Sequence, residues 1–342
     1  MAQASMRAAL LDEPAPVTTR PVRIVDVPRP RPGPGQVLLR VHVCGLCRTD
    51  LHVVEGDLEP RMRPVIPGHQ AVGEVIELGS GVDDPPLGSM VGVAWLHRTC
   101  QACRFCRSGR ENLCERPDFT GWTVPGGFAE SMVAPAPFVY PLPRDLDPMH
   151  AAPLLCAGII GYRCLRKTGI ASERWAGARL GLYGFGAAGH VAIQIARARG
   201  AEVYVCTRDR ARHQALAREL GATWVGGATE HPPVALDASI IFAPAGELVP
   251  AALRALDRGG TLVLGGIHMS PIPALEYPSL YHERCIRTVA NNTRVDGREF
   301  LAEAARVGVR THVERYPLER LGDALVDLAH DAIRGAAVIE MR

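Results

Sequence analysis

The chain has 342 residues, 47% hydrophobic and 22% charged, with 38 Lys and Arg against 36 Asp and Glu. That length exceeds the size at which one hydrophobic core stops growing, so two domains are expected, each able to fold without covalent staples. Balanced charge with no long block of one sign excludes the footprint of a nucleic-acid binder or a polybasic membrane patch, and points to a small-molecule partner.

The N-terminal MAQASMRAALLDEPAP lacks a basic start followed by an apolar core, and the longest apolar run, near Ala151 to Tyr162, is too short to span a bilayer, so a cytoplasmic protein is expected. Residues 1 to about 150 are rich in Pro and Gly, with short alternations such as QVLLRVHVCG and AVGEVIELGSGV. These predict short strands joined by turns, an irregular all-β region. Within it, RTCQACRFCRSGRENLC sets Cys100, Cys103, Cys106 and Cys114 in a CxxCxxCx7C run. Four thiolates brought together by tight turns form a closed tetrahedral shell that suits Zn²⁺ and leaves no position for a substrate; disulfides and an iron–sulfur cluster are the rival readings. Clustered cysteines in a chain with no export signal favour reduced thiolates on metal.

From Leu180 the texture changes. LGLYGF reads as a strand, AAGHVAIQIARARG as a helix, EVYVCT as a strand, RARHQALARELG as a helix, SIIFA as a strand, GELVPAALRALDRGG as a helix and TLVLGG as a strand. Strands alternating with helices of this length predict a parallel sheet with helices on both sides. Gly184, Gly186 and Gly189 form a GxGxxG array between the first strand and helix. The first glycine permits the tight turn, the second lets the backbone approach a pyrophosphate and the third lets helix and strand pack closely. The phosphates would sit on the free N–H groups of the helix opening at Ala187 and Ala188. At the end of the second strand stand Thr207 and Arg208 rather than a carboxylate. A guanidinium there suits a 2′-phosphate, with Arg212 as a second cation, so NADP(H) is expected over NAD(H). The alternative leaves Arg208 in water and gives the ribose to Asp209. After about Ala290 the alternation stops, and VERYPLERLGDALVDLAHDAIRGAAVIEMR reads as strand, helix, strand returning to the first domain. The expected domains are 1–157, with the four-cysteine lobe at about 95–117, then 158–289, and a return segment 290–342.

Three further fragments, VCGLCRTDLH, PVIPGHQAVGEV and APLLCAGIIGY, are faint taken singly. A lone Cys is ordinarily a small core residue and a lone His a hydrogen-bonded one. In this order, with the four-cysteine lobe, glycine loop and return segment, they resemble the zinc-dependent alcohol dehydrogenases of the medium-chain dehydrogenase/reductase superfamily over nearly the whole chain. The resemblance implies a GroES-like irregular β catalytic domain with an inserted Rossmann cofactor domain, a doubly wound parallel sheet. It implies a catalytic zinc on Cys47, His69 and Cys156 with the fourth position open, hence two zincs per chain. Asp50 matches the family's carboxylate that receives the other ring N–H of His69. Thr49 and His52 match the relay that carries the alcohol proton to water through the nicotinamide ribose, while hydride passes between the substrate carbon and C4 of the nicotinamide.

By the same resemblance Cys44 is a packed residue and not a ligand. Two positions depart from the family pattern: Gln70 stands in place of Glu, and Ala336 stands in place of a cofactor-binding arginine, with Arg334 two residues earlier. Trp95 and Trp122 are read either as walls of a substrate pocket or as plain core. The implied activity is reversible hydride transfer between an alcohol, or an aldehyde or ketone, and NADP(H). The alternatives are an NAD-dependent polyol or secondary-alcohol dehydrogenase of the same fold, and a non-catalytic zinc-stapled dinucleotide sensor. The family forms dimers and tetramers, which makes TLVLGGIHM near Thr261 the expected edge segment of a homodimer or homotetramer.

Overall fold

A computed structural model describes residues 4–143 and 146–341. The chain divides into two compact units, Met1–Cys156 with Thr293–Arg298 and Thr311–Arg342, and Ala157–Asn292 with Glu299–Arg310.

The first unit is built on a seven-stranded sheet. Its strands run in the order Val313–Pro317, Ala336–Glu340, Gln36–Leu46, Ala71–Leu78, Met90–Val93 and Val139–Pro141, with Ser131–Pro135 also paired to Gln36–Leu46. The long strand Gln36–Leu46 sends Val37, Leu39, Val41, Cys44 and Leu46 into one core with Ile339, Met132 and Phe128. Its pairing with the strand Ala336–Glu340 makes the last residues of the chain part of the first unit. The all-β expectation misses the short helices Arg104–Arg107 and Pro148–Ala151 and, more consequentially, the helix Arg48–Glu55, which follows that strand after a single residue. Leu51, Val53 and Val54 of this helix join Leu321, Ala324 and Leu325 in the same core. Burying each of these larger side chains contributes about 1.5–3 kcal/mol, enough to hold a helix too short to be stable alone.

The second unit is a six-stranded, wholly parallel sheet. Its order is Trp224–Gly226, Glu202–Cys206, Arg179–Tyr183, Leu236–Ile241, Leu256–Leu264 and Cys285–Thr288. Leu180, Leu182, Val203, Val205, Ile240 and Val263 are fully buried, as strands covered on both faces require. Chain order reverses beside Arg179–Tyr183, so the glycine loop after that strand lies at the topological switch point.

Four sequence expectations change here. The strands Trp224–Gly226 and Cys285–Thr288 escape prediction because they are only three and four residues long and incompletely buried. RARHQALARELG forms a π-turn, Arg210–Gln214, in which the Gln214 amide reaches back five residues to the Asp209 carbonyl at 2.9 Å, and only then the short helix Ala215–Glu219. The helix in GELVPAALRALDRGG spans only Leu248–Arg254, and Leu256 already belongs to the next strand. That strand, which contains TLVL, is paired on both sides, so TLVLGGIHM is not a sheet edge; the edge on that side is Cys285–Thr288. Among the described residues no helix is long and apolar enough to cross a membrane.

Candidate functional site

The helix Arg48–Glu55 begins with a capping box whose acceptor is sulfur. Cys47, extended at φ −142°, takes the Thr49 amide on Sγ at 3.4 Å, and Asp50 takes the Cys47 amide on Oδ2 at 3.0 Å. Two orphan amides of the first turn are thus satisfied. The other Asp50 oxygen, Oδ1, accepts a hydrogen bond from His69 Nδ1 at 2.8 Å, both side chains being almost fully buried. One carboxylate therefore fixes the Cys47 backbone and keeps a ring proton of His69 on Nδ1, so that Nε2, 3.4 Å from Cys47 Sγ, is the nitrogen that would give up its proton to a metal. Gly68 orients the loop before His69: its φ is 97°, and a Cβ there would lie 2.7 Å from the Phe128 amide nitrogen. Cys156 ends the turn Ala152–Leu155, and its Sγ lies 3.9 Å from that of Cys47.

The three donor atoms lie within 4.8 Å of one another. Zn–S and Zn–N bonds of about 2.3 and 2.1 Å at tetrahedral angles require S···S and S···N edges of about 3.8 and 3.6 Å. The donor set fits a tetrahedral metal with one position unfilled by protein. The electrostatics agree. The Cys47 thiol is held well below its ordinary value by the hydrogen bond from Cys156 and, against burial, by His69. Cys156 is pushed up by giving that hydrogen bond and by burial. Burial opposes charge on His69, yet Asp50 and Cys47 raise it to about 10. A buried group that holds a proton so firmly lies in an anionic site, and a dication supplies the same compensation.

Thr49 is half-buried beside Cys47. His52 is buried, with Nδ1 2.7 Å from Oδ2 of Asp57, whose side chain is 41% exposed. Asp57 does not stand out in the sequence; the signal was Gly56, whose positive φ ends the helix and turns the following residue back toward His52. Gln70 is 1% exposed, lies over Gly45, and its Nε2 has no hydrogen-bond partner among the described residues. A neutral amide adds no further negative charge beside Cys47, Asp50 and Cys156.

Trp95, 6% exposed, meets the His69 ring edge-on at 5.1 Å, and stacks on Phe119 at 5.2 Å and Trp122 at 5.7 Å. Trp122 donates its indole N–H to Glu59 O at 3.0 Å and carries the Arg61 guanidinium 5.1 Å above its ring. Both tryptophans thus join one aromatic stack that reaches a candidate ligand. Phe119, its third member, was missed because it sits in a two-residue strand with no pattern of its own.

The four-cysteine lobe is a second cluster. Cys103 and Cys106 sulfurs are 3.5 Å apart, Cys100 and Cys114 3.4 Å, and Cys100 and Cys106 4.0 Å. None is in a disulfide. The amides of Cys103, Cys100 and Arg116 donate to the Cys100 and Cys114 sulfurs, as a thiolate site requires. These spacings match a closed tetrahedron around zinc, and all four positions come from the protein.

In the other unit, Gly184 has φ 86° and a Cβ there would lie 2.8 Å from the Ala243 amide nitrogen, while one at Gly189 would lie 3.0 Å from Gly184 O. At Gly186, which caps the helix Ala187–Ala198, a Cβ would meet nothing within 4 Å, so this face is open to a ligand. The amides at Ala187 and Ala188 open the helix there. Thr207 is buried and Arg208 exposed. Arg212 is not a free second cation: its Nε and amide both donate to Asp209, at 2.9 and 2.8 Å, and its backbone hydrogen bond leads the effects that lower the Asp209 carboxyl. Ala336 is buried in its strand and the Arg334 amide is bonded to Glu314.

Residues 33–144 match the alcohol dehydrogenase GroES-like domain family and residues 187–306 the zinc-binding dehydrogenase family. A protein named probable alcohol dehydrogenase AdhA from Mycobacterium tuberculosis is 49% identical over 342 residues, covering 98% of this chain and 97% of that one. An alcohol dehydrogenase from Geobacillus stearothermophilus is 34% identical, with 98% of this chain and 99% of that one aligned. Among solved structures, a cinnamyl alcohol dehydrogenase from Sorghum bicolor superposes with a TM-score of 0.88 at 28% identity, covering 99% of this chain and 98% of the other.

Proposed function

The chain belongs to the zinc-dependent alcohol dehydrogenase family of the medium-chain dehydrogenase/reductase superfamily, and from that premise we propose an NADP(H)-preferring alcohol dehydrogenase or aldehyde reductase with two zincs per chain. Cys47, His69 and Cys156 hold the catalytic zinc, and Cys100, Cys103, Cys106 and Cys114 the structural one. The observation that carries this reading is the converging trio Cys47, His69 and Cys156, its histidine buried and its cysteines half-buried, with Asp50 hydrogen-bonded to the imidazole. Zinc in that trio would act as a Lewis acid on the substrate oxygen, and the nicotinamide would exchange hydride with the substrate carbon.

The chain's own groups manage position and proton. Asp50 holds the Nδ1 proton of His69, which would turn Nε2 toward the metal, and keeps Cys47 at the helix start. Thr49 Oγ1 would take the alcohol proton while passing its own to a ribose hydroxyl of the bound nicotinamide nucleotide, and His52, steadied through Nδ1 by Asp57, would take the proton from that ribose and release one to water. A dinucleotide sensor without turnover would need neither residue.

NADP(H) preference is supported by Arg208 at the end of the second strand and by Asp209, whose carboxylate is occupied by Arg212 and so is poorly placed for a ribose hydroxyl. That engagement disfavours the NAD-dependent alternative. A guanidinium on a phosphate is worth about 1.5–3 kcal/mol, so Arg208→Ala is expected to lower the NADPH/NADH ratio of kcat/KM by roughly 10–100-fold; an unchanged ratio would overturn this reading.

The stack of Trp95, Phe119 and Trp122 favours a substrate with a flat apolar body. Trp122→Ala should lower kcat/KM for benzyl alcohol by roughly 2–10-fold relative to ethanol, the scale of one aromatic pair. Equal losses on both substrates would remove the stack from the pocket.

A second copy is proposed to pair along the edge strand Cys285–Thr288, which follows the exposed Tyr277 and Tyr281 in the chain. Light scattering should then give a dimer or tetramer; a monomer mass would contradict the pairing.

A further inference from the structure

We propose that Glu111 and Arg294 couple retention of metal in the four-cysteine lobe to the start of the helix Arg294–Val307, making a residue from the last part of the chain a positioning residue for that lobe. The inference rests on the reading that the four thiolates bind zinc.

Glu111 opens the short turn Glu111–Leu113 between the third and fourth cysteines, and its carbonyl accepts the Cys114 amide at 3.0 Å. Any displacement of Glu111 therefore moves the fourth thiolate. The carboxylate is taken up entirely by Arg294. Oε1 accepts the Arg294 amide at 2.7 Å and Nε at 3.1 Å, while Oε2 accepts Nε at 3.0 Å and Nη2 at 2.8 Å. The side chains are only 10% and 25% exposed. The guanidinium also lies 4.5 Å over the Phe138 ring. A bidentate pair held by an aromatic face and a backbone amide has one geometry, and shifting either end leaves a largely buried charge without its partner. The helix behind Arg294 is fixed independently: Asp296 accepts both the amide and the hydroxyl of Thr293 at 2.8 and 2.7 Å. Lobe and helix start are thus joined through one ion pair whose members stand 183 positions apart in the sequence.

Coupling of this kind is reciprocal: if the docked helix favours metal binding, bound metal favours the docked helix by the same factor. Zinc release is followed with a chromogenic chelator in Cys47→Ala protein, where only the lobe holds metal. Arg294→Lys and Glu111→Gln should each speed release by about tenfold, and the double variant should be no faster than either alone, because both remove the same interaction. Generic destabilisation would instead add. A second measurement needs no substitution in the pair: hydrogen exchange at the first amides of the helix Arg294–Val307 should rise when the lobe's zinc is stripped, while the helix Ala187–Ala198 is unaffected. Unchanged or additive release rates, or unchanged exchange, would overturn the coupling. Absence of zinc from the Cys47→Ala protein would overturn the lobe's metal and the coupling together, so the two failures are distinguishable.

Discussion

Cys47→Ala is expected to abolish turnover, by roughly 10³-fold or more, since a Lewis acid supplies several kcal/mol of charge stabilisation and each 1.36 kcal/mol is a factor of ten. Cys47 contributes a sulfur to the trio and also caps the helix that carries Thr49, Asp50 and His52. Alanine removes both roles, whereas Cys47→Ser keeps an N-cap acceptor and exchanges a soft thiolate for a poorly ionised hydroxyl. Serine should therefore restore about 1 kcal/mol of stability relative to alanine without restoring activity. Cofactor binding, read by fluorescence titration, should change little in either variant. Turnover recovered by serine would place the importance of Cys47 in helix capping and would remove it from the metal site.

The second large effect is on folding. Between its cysteines the lobe has only the helix Arg104–Arg107, with no buried residue, and the turn Glu111–Leu113. Nothing there resembles a core, so metal binding must supply most of the free energy that orders it. Cys114→Ser is expected to lower the thermal midpoint by about 5–10 °C, the scale of a few kcal/mol in domains of this size, and to reduce soluble yield. The catalytic donors come from other segments of the chain, so kcat per catalytic zinc should hold within about threefold. A variant of undiminished thermal stability and normal yield would show that the lobe folds without metal.

The features legible in the sequence were those with a local signature. The four-cysteine spacing is short enough for turns to bring the thiolates together, and it appears as a tight sulfur cluster. The glycine array lies between the strand and helix that gave it meaning. Cys47, His69 and Cys156 carry no local signature, and only resemblance joined them; their convergence is a property of the strand Gln36–Leu46, the loop at Gly68 and the turn at Ala152–Leu155 taken together. What the sequence withheld was contact. Asp57 beneath His52, Phe119 in the tryptophan stack, and Arg294 on Glu111 are ordinary residues until the fold brings them beside their partners. The edge strand was misread for the same reason. TLVL is the more apolar segment because it is paired on both sides, whereas CIRT, at the true edge, is partly exposed.

Zinc content per chain decides whether the proposed open site exists beside the closed one. Elemental analysis of carefully purified protein should give two zincs in the unmodified chain and one in Cys47→Ala, with loss of turnover accompanying loss of that single metal. One zinc in the unmodified chain, or two in Cys47→Ala, would contradict a catalytic centre at Cys47, His69 and Cys156.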